Sequence, residues 1–202
     1  MTLAGRAVKR AVDVVAAAGL LVVLSPLVAV AALLVRLTSP GPAIFRQERA
    51  GRDMAPFTMY KFRTMRADTD PFGPSPSERA DPRLTWVGRR LRETSFDEAP
   101  QLWNVLRGDM SLVGPRPLYL SQAREFTERQ RLRLKVRPGI TGLAVLLGRG
   151  GIPHEEKLEI DVQYVEQAGL WLDLKILVRS LALPFRRKDV YQKWKSRPWW
   201  RR

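Results

Sequence analysis

The longest apolar stretch of the chain lies near its N-terminus. No charged residue occurs from Val14 to Val35, and a straight helix of this length would be roughly 33 Å long at about 1.5 Å per residue. That length matches the hydrocarbon core of a bilayer. A cleavable signal peptide fits less well, because its apolar core is shorter, at about 7 to 15 residues. The pattern therefore predicts a helix that enters a membrane.

A proline interrupts this apolar run near its centre. Pro26 has no backbone N–H and its ring crowds the preceding turn, so we expect a sharp bend at Ser25-Pro26. Basic residues flank the run on both sides, namely Arg6, Lys9 and Arg10 before it and Arg36, Arg46, Arg49 and Arg52 after it. The positive-inside rule therefore favours neither orientation of a spanning helix. A helix that bends and returns to the same face agrees with both observations, although many spanning helices tolerate a proline.

Farther along the chain, the hydrophobic pattern predicts one strand and three helices. Within residues 57–65, Tyr60 and Phe62 alternate with Lys61 and Arg63, which is typical of a half-buried strand with a basic face. The helices are predicted over 85–93, 155–168 and 171–183. The last one has a broad apolar side, so it either packs against the domain core or lies on a membrane surface.

Together these elements predict a mainly helical α+β fold with a short β-hairpin and amphipathic helices at the membrane interface. Turn residues separate a membrane helix at 1–38 from a second domain at 39–185. Residues 68–82 are rich in Asp, Pro and Ser, which is typical of a flexible loop. Residues 186–202 mix cations with Trp and Tyr, a composition that suits the interface of an anionic membrane.

The composition limits the chemistry that the chain can perform. The sequence has 35 Lys and Arg against 20 Asp and Glu, a formal charge of +15, which favours anionic partners such as phospholipid head groups, nucleic acid or phosphorylated substrates. The absence of cysteine excludes disulfides, thiolate nucleophiles and Cys-based zinc sites. His154, the single histidine, lies beside Gly and Pro and is more typical of a surface residue than of a catalytic base.

An acidic pair between two arginines is the strongest chemical signal. Asp97 and Glu98 follow Arg92, and Arg116 stands between two prolines. Arginine pairs with phosphate in a two-point fashion, and an aspartate can attack phosphorus to form an aspartyl phosphate. The spacing of Ser95 and Glu98 also fits a capping box, in which Glu98 only stabilises the start of a helix. The residues alone leave both interpretations open.

Residues 92–117 closely resemble the signature of the bacterial sugar transferases, the monotopic phosphoglycosyl transferases. Lys61-Phe-Arg63-Thr-Met65 and residues 136–142 resemble further motifs of that family, and the resemblance runs from about Arg6 to Leu183. A Ser-Pro break in the first helix is the family's re-entrant signature. The chain departs from the family pattern after Gly142, where many members carry an aromatic residue and a Gln or Asn.

The resemblance implies a role for each site residue. Asp97 is the implied nucleophile, and Glu98 the implied ligand that holds Mg²⁺ against a diphosphate. Binding of substrate and phosphate falls to Lys61, Arg63, Arg92, Arg116 and Arg137 by the same comparison. For Arg137 a role in bracing its loop is equally open, and Asp161 is expected to be structural.

The implied reaction moves a sugar phosphate from a UDP-sugar to a polyprenyl phosphate through Asp97, with release of UMP. The resemblance places the protein in the bacterial cytoplasmic membrane, with its catalytic domain on the cytosolic face. Expected partners are the two substrates and anionic lipids, with a homodimer as an option and no specific nucleic acid. Two rivals remain: a basic membrane-tethered binding or scaffold protein whose acids only cap helices, and a hydrolase that uses the same two acids on a diphosphate ester.

Overall fold

The computed structural model describes residues 2–70, 73, 76, 80–148 and 152–182. Its helices and strands, in chain order, are α1 (Leu3–Thr38), β1 (Ile44–Ala50), β2 (Pro56–Phe62), α2 (Trp86–Thr94), α3 (Gln101–Arg107), β3 (Ser111–Val113), α4 (Leu120–Arg124), α5 (Glu128–Arg131), β4 (Gly139–Thr141), α6 (Leu143–Gly148), α7 (His154–Gln167) and α8 (Leu170–Ser180). Single 3₁₀ turns occur at Arg52–Met54, Phe96–Glu98 and Leu132–Lys135. The predicted tail 186–202 and much of the predicted loop 68–82 lie outside the described residues.

Helix α1 is continuous through its proline. Pro26 cannot donate to the Val22 carbonyl, and the Ser25 Oγ donates to that carbonyl instead, at 2.8 Å. The hydroxyl thus replaces the donor that proline lacks. Among the described residues this is the one helix long and apolar enough to cross a membrane, and only 11% of its most apolar window is buried. Re-entry at Ser25-Pro26 stays a prediction.

Both ends of α1 pack against the rest of the domain. Near its start, Arg10 donates to the Val105 and Leu106 carbonyls at the end of α3, at 2.6 and 2.9 Å. Asp13 is buried and accepts a hydrogen bond from the Leu112 backbone. Farther along, Val35 packs into a cluster of buried apolar side chains from β2 and α2. Helix α1 is therefore part of the domain core at two separate places.

A buried polar cluster ties the start of α1 to the C-terminal helices. We call Lys9, Tyr164 and Asp173 the anchor cluster. Lys9 Nζ donates to Asp173 Oδ2 at 2.5 Å, and the Tyr164 hydroxyl donates to Asp173 Oδ1 at 2.6 Å. Both donors also lie 3.2 Å from the Val113 carbonyl. Each carboxylate oxygen of Asp173 therefore has a partner.

The predicted hairpin is confirmed, and a second small sheet accompanies it. Strands β1 and β2 pair antiparallel from Ile44 with Phe62 to Ala50 with Pro56. Strands β3 and β4 pair parallel, and their backbones are so close at Gly139 that a Cβ atom there would lie 2.1 Å from the Gly114 nitrogen. These two strands are too short for any periodicity to predict them.

The predicted helices are also present, with small changes at their ends. Helices α2, α7 and α8 begin within one residue of their expected starts, and α8 ends at Ser180 rather than at 183. Gly88 lets α2 pack closely against the segment that follows β2, since a Cβ atom there would lie 1.9 Å from the Thr64 carbonyl oxygen. The apolar segment after Gly142, which departs from the family pattern, forms α6 and buries Leu143 in the core.

Candidate active site

Asp97 and Glu98 lie in a tight turn between α2 and α3. Ser95 ends α2 in the left-handed region, with φ of 60°, and turns the chain into the 3₁₀ turn Phe96–Glu98. The Phe96 ring stacks on Phe62 of β2, with ring centroids 6.2 Å apart. The Ser95 side chain makes no capping bond, so the capping-box interpretation is wrong.

Glu98 is held between two cations. Its Oε1 atom accepts from Arg116 Nη2 at 2.7 Å and from Lys61 Nζ at 3.1 Å, and the side chain is 14% exposed. Burial alone raises the pKa of Glu98, but Arg116 and Lys61 outweigh it and lower the pKa to about 2. Both bonds go to one oxygen, so within the described part of the chain Oε2 remains available to a further ligand.

Asp97 has the opposite electrostatics. Burial, followed by repulsion from Glu98, raises the pKa of Asp97 to about 6, although Lys61, Arg92 and Arg116 act against the rise. Its carboxylate accepts no hydrogen bond from any described residue. Two adjacent carboxylates whose pKa values are driven apart suit two different chemical roles. Near neutral pH, Asp97 is an ionised and weakly stabilised carboxylate, as a nucleophile requires.

Lys61 reaches the acidic pair because Asn104 fixes β2 against α3. The fully buried Asn104 donates to the Thr58 carbonyl at 2.7 Å and accepts from the Tyr60 backbone N–H at 3.1 Å. Burial lowers the pKa of Lys61, and Glu98 offsets part of that shift. Sequence reasoning missed Asn104, because its partners are more than forty residues away along the chain.

The backbone of Arg116 is held in place by a buried ion pair. The Arg116 carbonyl accepts from Arg133 Nη2 at 2.6 Å, and the same nitrogen lies 2.7 Å from Asp161 Oδ2. Both side chains of this pair are at most 5% exposed. The structural role expected for Asp161 is therefore supported, whereas Arg133 was not predicted. Glu98 raises the pKa of Arg116, which keeps the guanidinium charged.

The other predicted arginines lie in three different places. Arg92, in the last turn of α2, is close enough to lower the pKa of Asp97. Arg63 is buried and donates to the carbonyls of Ser39 and Pro40, both at 2.6 Å, in the turn that follows α1. Arg137 Nε donates to the Gly108 carbonyl at 2.7 Å. The structure thus brings Lys61, Arg92 and Arg116 to the acidic pair but places Arg63 and Arg137 on backbone, where their predicted substrate contacts stay predictions.

We call Asp97, Glu98, Lys61, Arg92 and Arg116 the dyad site. No group of three or more His, Asp or Glu side chains that could hold a metal ion occurs in the described part of the chain. The residues nevertheless fit Mg²⁺, which is commonly bound through one or two carboxylates together with substrate phosphates. The available Oε2 of Glu98 is the protein ligand that such binding would use.

Comparison with known proteins agrees with this site. Residues 4–187 match the family described as bacterial sugar transferase. The chain belongs to the bacterial sugar transferase family. This match confirms the resemblance that the sequence motifs indicate.

Curated relatives of this family member include two transferases with named substrates. UDP-glucose:undecaprenyl-phosphate glucose-1-phosphate transferase of Caulobacter vibrioides is 47% identical over 181 residues, which cover 86% of this chain and 68% of that protein. The Escherichia coli protein of the same name is 42% identical over 194 residues, which cover 92% of this chain and 42% of that protein. An uncharacterized sugar transferase of Bacillus subtilis, EpsL, is 47% identical, with 84% and 83% covered. The chain therefore spans only part of some relatives.

Proposed function

We propose that this family member is a phosphoglycosyl transferase that moves a sugar 1-phosphate from a UDP-sugar to polyprenyl phosphate, with undecaprenyl phosphate as the expected lipid. The names of the Caulobacter and Escherichia coli relatives support these substrate classes. The observation that carries the proposal is the dyad site, in which Lys61 and Arg116 hold one oxygen of Glu98 while the adjacent Asp97 accepts no hydrogen bond from the described residues. Its product would start the assembly of a membrane glycoconjugate, such as an exopolysaccharide, an O-antigen or a glycoprotein glycan.

In the first half-reaction, Asp97 attacks the phosphorus that bears the sugar. A bond forms between the carboxylate oxygen and this phosphorus, and the bond from phosphorus to the bridging oxygen breaks. The electron pair stays on the bridging oxygen, so UMP leaves as a dianion. Lys61 and Arg116 hold Glu98 ionised, and Arg92 would meet the negative charge on the donor. Bound Mg²⁺ would neutralise diphosphate charge as a Lewis acid, with Glu98 as its protein ligand.

In the second half-reaction, an oxygen of the polyprenyl phosphate attacks the same phosphorus. The bond to Asp97 breaks, the carboxylate is regenerated, and the polyprenyl diphosphate sugar leaves. No proton transfer is needed, because the attacking lipid phosphate is already anionic. Splitting one displacement into two in this way is the usual advantage of a covalent intermediate.

The proposed lipid substrate requires an active site at the level of the head groups. Helix α8 exposes Trp171, Leu174 and Val178 along one side, with side chains 67%, 50% and 59% exposed, and Lys175 lies 5.2 Å above the Trp171 ring. Aromatic, aliphatic and cationic side chains in this arrangement suit a membrane interface. We therefore propose that α8 lies on the cytosolic face of the bacterial cytoplasmic membrane, beside a re-entrant α1. Anionic lipids would then be natural neighbours, and a homodimer stays a prediction.

The test is nucleotide release by the purified protein in lipid nanodiscs, with UDP-glucose as the first donor, Mg²⁺, and undecaprenyl phosphate present or absent. The proposal expects UMP whose steady release depends on the lipid. UDP would indicate glycosyl transfer and contradict the mechanism. Sugar phosphate released to water without lipid would favour a hydrolase. Turnover that survives Asp97→Asn would contradict the covalent step, and no release from a panel of UDP-sugars would favour the scaffold.

A further inference from the structure

Arg49, at the end of β1, is a half-buried cation outside the dyad site. Its guanidinium lies 3.6 Å from the centroid of the Tyr119 ring, and its Nη2 donates to Gln47 Oε1. Gln47 in turn donates to the Tyr119 hydroxyl at 3.1 Å. These contacts fix the plane of the guanidinium. A held guanidinium loses little entropy when it binds a planar or tetrahedral anion.

The partners of Arg49 in the described part of the chain are neutral. Its Nε is buried without a hydrogen-bond partner, and no described carboxylate lies within ion-pair distance. Two other arginines do have a carboxylate partner, since Arg116 is paired with Glu98 and Arg133 with Asp161. A partly buried cation without a counter-charge is unfavourable. Binding of an anion at Arg49 would therefore supply the counter-charge that the described residues do not provide.

Arg49 and Arg116 lie on neighbouring segments. The Ala50 backbone N–H donates to the Leu118 carbonyl at 2.9 Å, which places the end of β1 alongside the segment that carries Arg116. Burial lowers the pKa of Arg49, Tyr119 opposes this shift, and the charge of Arg116 lowers the pKa further. Two guanidinium groups that repel each other gain from a shared anion.

The position of this pair relative to Asp97 indicates which anion it binds. The cations that act most strongly on Asp97 are Lys61, Arg92 and Arg116. Arg116 contacts the acidic pair through Glu98, at 2.7 Å, and its segment is hydrogen-bonded to the end of β1 that carries Arg49, so Arg116 connects the acidic pair to Arg49. An anion shared by Arg49 and Arg116 would be next to the phosphorus that Asp97 attacks. In a nucleotide diphosphate sugar, that neighbour is the phosphate of the nucleotide.

We infer that Arg49, together with Arg116, binds the nucleotide phosphate of the donor and stabilises it as it leaves; this inference rests on the function proposed above. When the bond from the attacked phosphorus to the bridging oxygen breaks, the leaving nucleoside monophosphate gains one negative charge. Arg49 supplies a positive charge beside the phosphate of this leaving group. It binds the leaving group and takes no part in forming the bond to Asp97.

The experiment is exchange of labelled UMP into a UDP-sugar, in nanodiscs that contain Mg²⁺ and no lipid acceptor. Exchange reports only the first half-reaction and its reverse. Arg49→Gln should raise the KM for UMP by about tenfold or more, because hydrogen bonds to charged groups have roughly that effect. Arg49→Lys should recover part of the loss. Arg46→Gln is the matched control, since Arg46 is an exposed arginine of the same strand that also lies over a tyrosine ring, 5.9 Å from Tyr60.

The second arm measures the KM for undecaprenyl phosphate in the complete reaction, where Arg49→Gln should match the wild type. An unchanged KM for UMP with a raised KM for the lipid would overturn the inference and assign Arg49 to the acceptor. Unchanged KM values with a lower thermal midpoint would also overturn it, in favour of a structural role. If Arg49→Gln does not fold, Arg49→Lys decides the point through a severalfold rise in the KM for UMP. Absence of exchange in the wild type would instead contradict the proposed covalent mechanism itself.

Discussion

The dyad site and the anchor cluster contain similar residues but differ in how their carboxylates are hydrogen-bonded. In the anchor cluster, one cation and one phenol serve the two oxygens of Asp173, so the carboxylate is fully paired. In the dyad site, Lys61 and Arg116 both donate to one oxygen of Glu98, and Asp97 has no hydrogen-bond donor among the described residues. We therefore expect Asp173, with both oxygens paired, to be structural, and Asp97, without a described hydrogen-bond donor, to be reactive. The variants below test this distinction.

The largest effect is expected from Asp97→Asn. This variant should lower turnover by about a thousandfold or more, because it removes the nucleophile. Stability should be kept or raised at pH 7.5. Since the folded-state pKa of about 6 exceeds the ordinary value, Asp97 stabilises the fold in its protonated form, and this contribution is lost as the pH rises through 6. UMP release and the thermal midpoint, with the exposed Asp53→Asn as control, check both parts.

Lys9→Met should have the opposite effects, lowering stability while leaving turnover nearly unchanged. Removal of the cation leaves Asp173 buried without its charged partner, and we expect a loss of about 3 kcal/mol in the free energy of unfolding. The remaining folded protein should turn over at nearly the normal rate. The double variant Lys9→Met with Asp173→Asn should recover part of the stability. A stable Lys9→Met protein would mean that the anchor cluster contributes little to the fold.

Arg92→Gln tests the charge state of Asp97. The rate of the first half-reaction should rise as the pH increases through about 6, because the ionised carboxylate attacks. Loss of Arg92 removes a charge that lowers the pKa of Asp97, so this rise should move to higher pH. The ratio of the rates at pH 6 and pH 8 should then fall by roughly twofold or more. Arg90→Gln, on the same helix but paired with Glu93, should keep the wild-type profile.

The smallest effect is expected from Tyr164→Phe. This variant removes one neutral donor from Asp173 and keeps the Lys9 bond, so the expected loss is about 1 kcal/mol in the free energy of unfolding. Activity at 25 °C should not change. A chemical denaturation curve in matched nanodiscs measures the difference. A loss as large as that of Lys9→Met would show that the phenol, rather than the cation, holds the cluster together.

The sequence predicted the local parts of this structure better than its long-range contacts. The hairpin, α2, α7 and α8 follow from periodicity and turn residues within short windows. The pairing of Lys61 with Glu98 could be suspected only through the resemblance, since periodicity says nothing about which strand meets which turn. Lys9 illustrates the limit, because it resembles an ordinary flanking charge until Asp173 is brought beside it. Arg63 is a second example, because the sequence did not indicate that its guanidinium binds the backbone of the turn after α1.

The contact between Lys9 and Asp173 also has a consequence for biosynthesis. The two residues are 164 positions apart, so the ribosome makes the lysine long before its partner exists. In the proposed membrane placement, the apolar part of α1 could enter the bilayer during that interval, while Lys9, Arg10 and Asp13 would remain outside it until the domain forms. With α1 placed in the membrane as proposed above, we expect insertion to come first and closure of the domain last, so that α1 is already in place when the final helices pack against it.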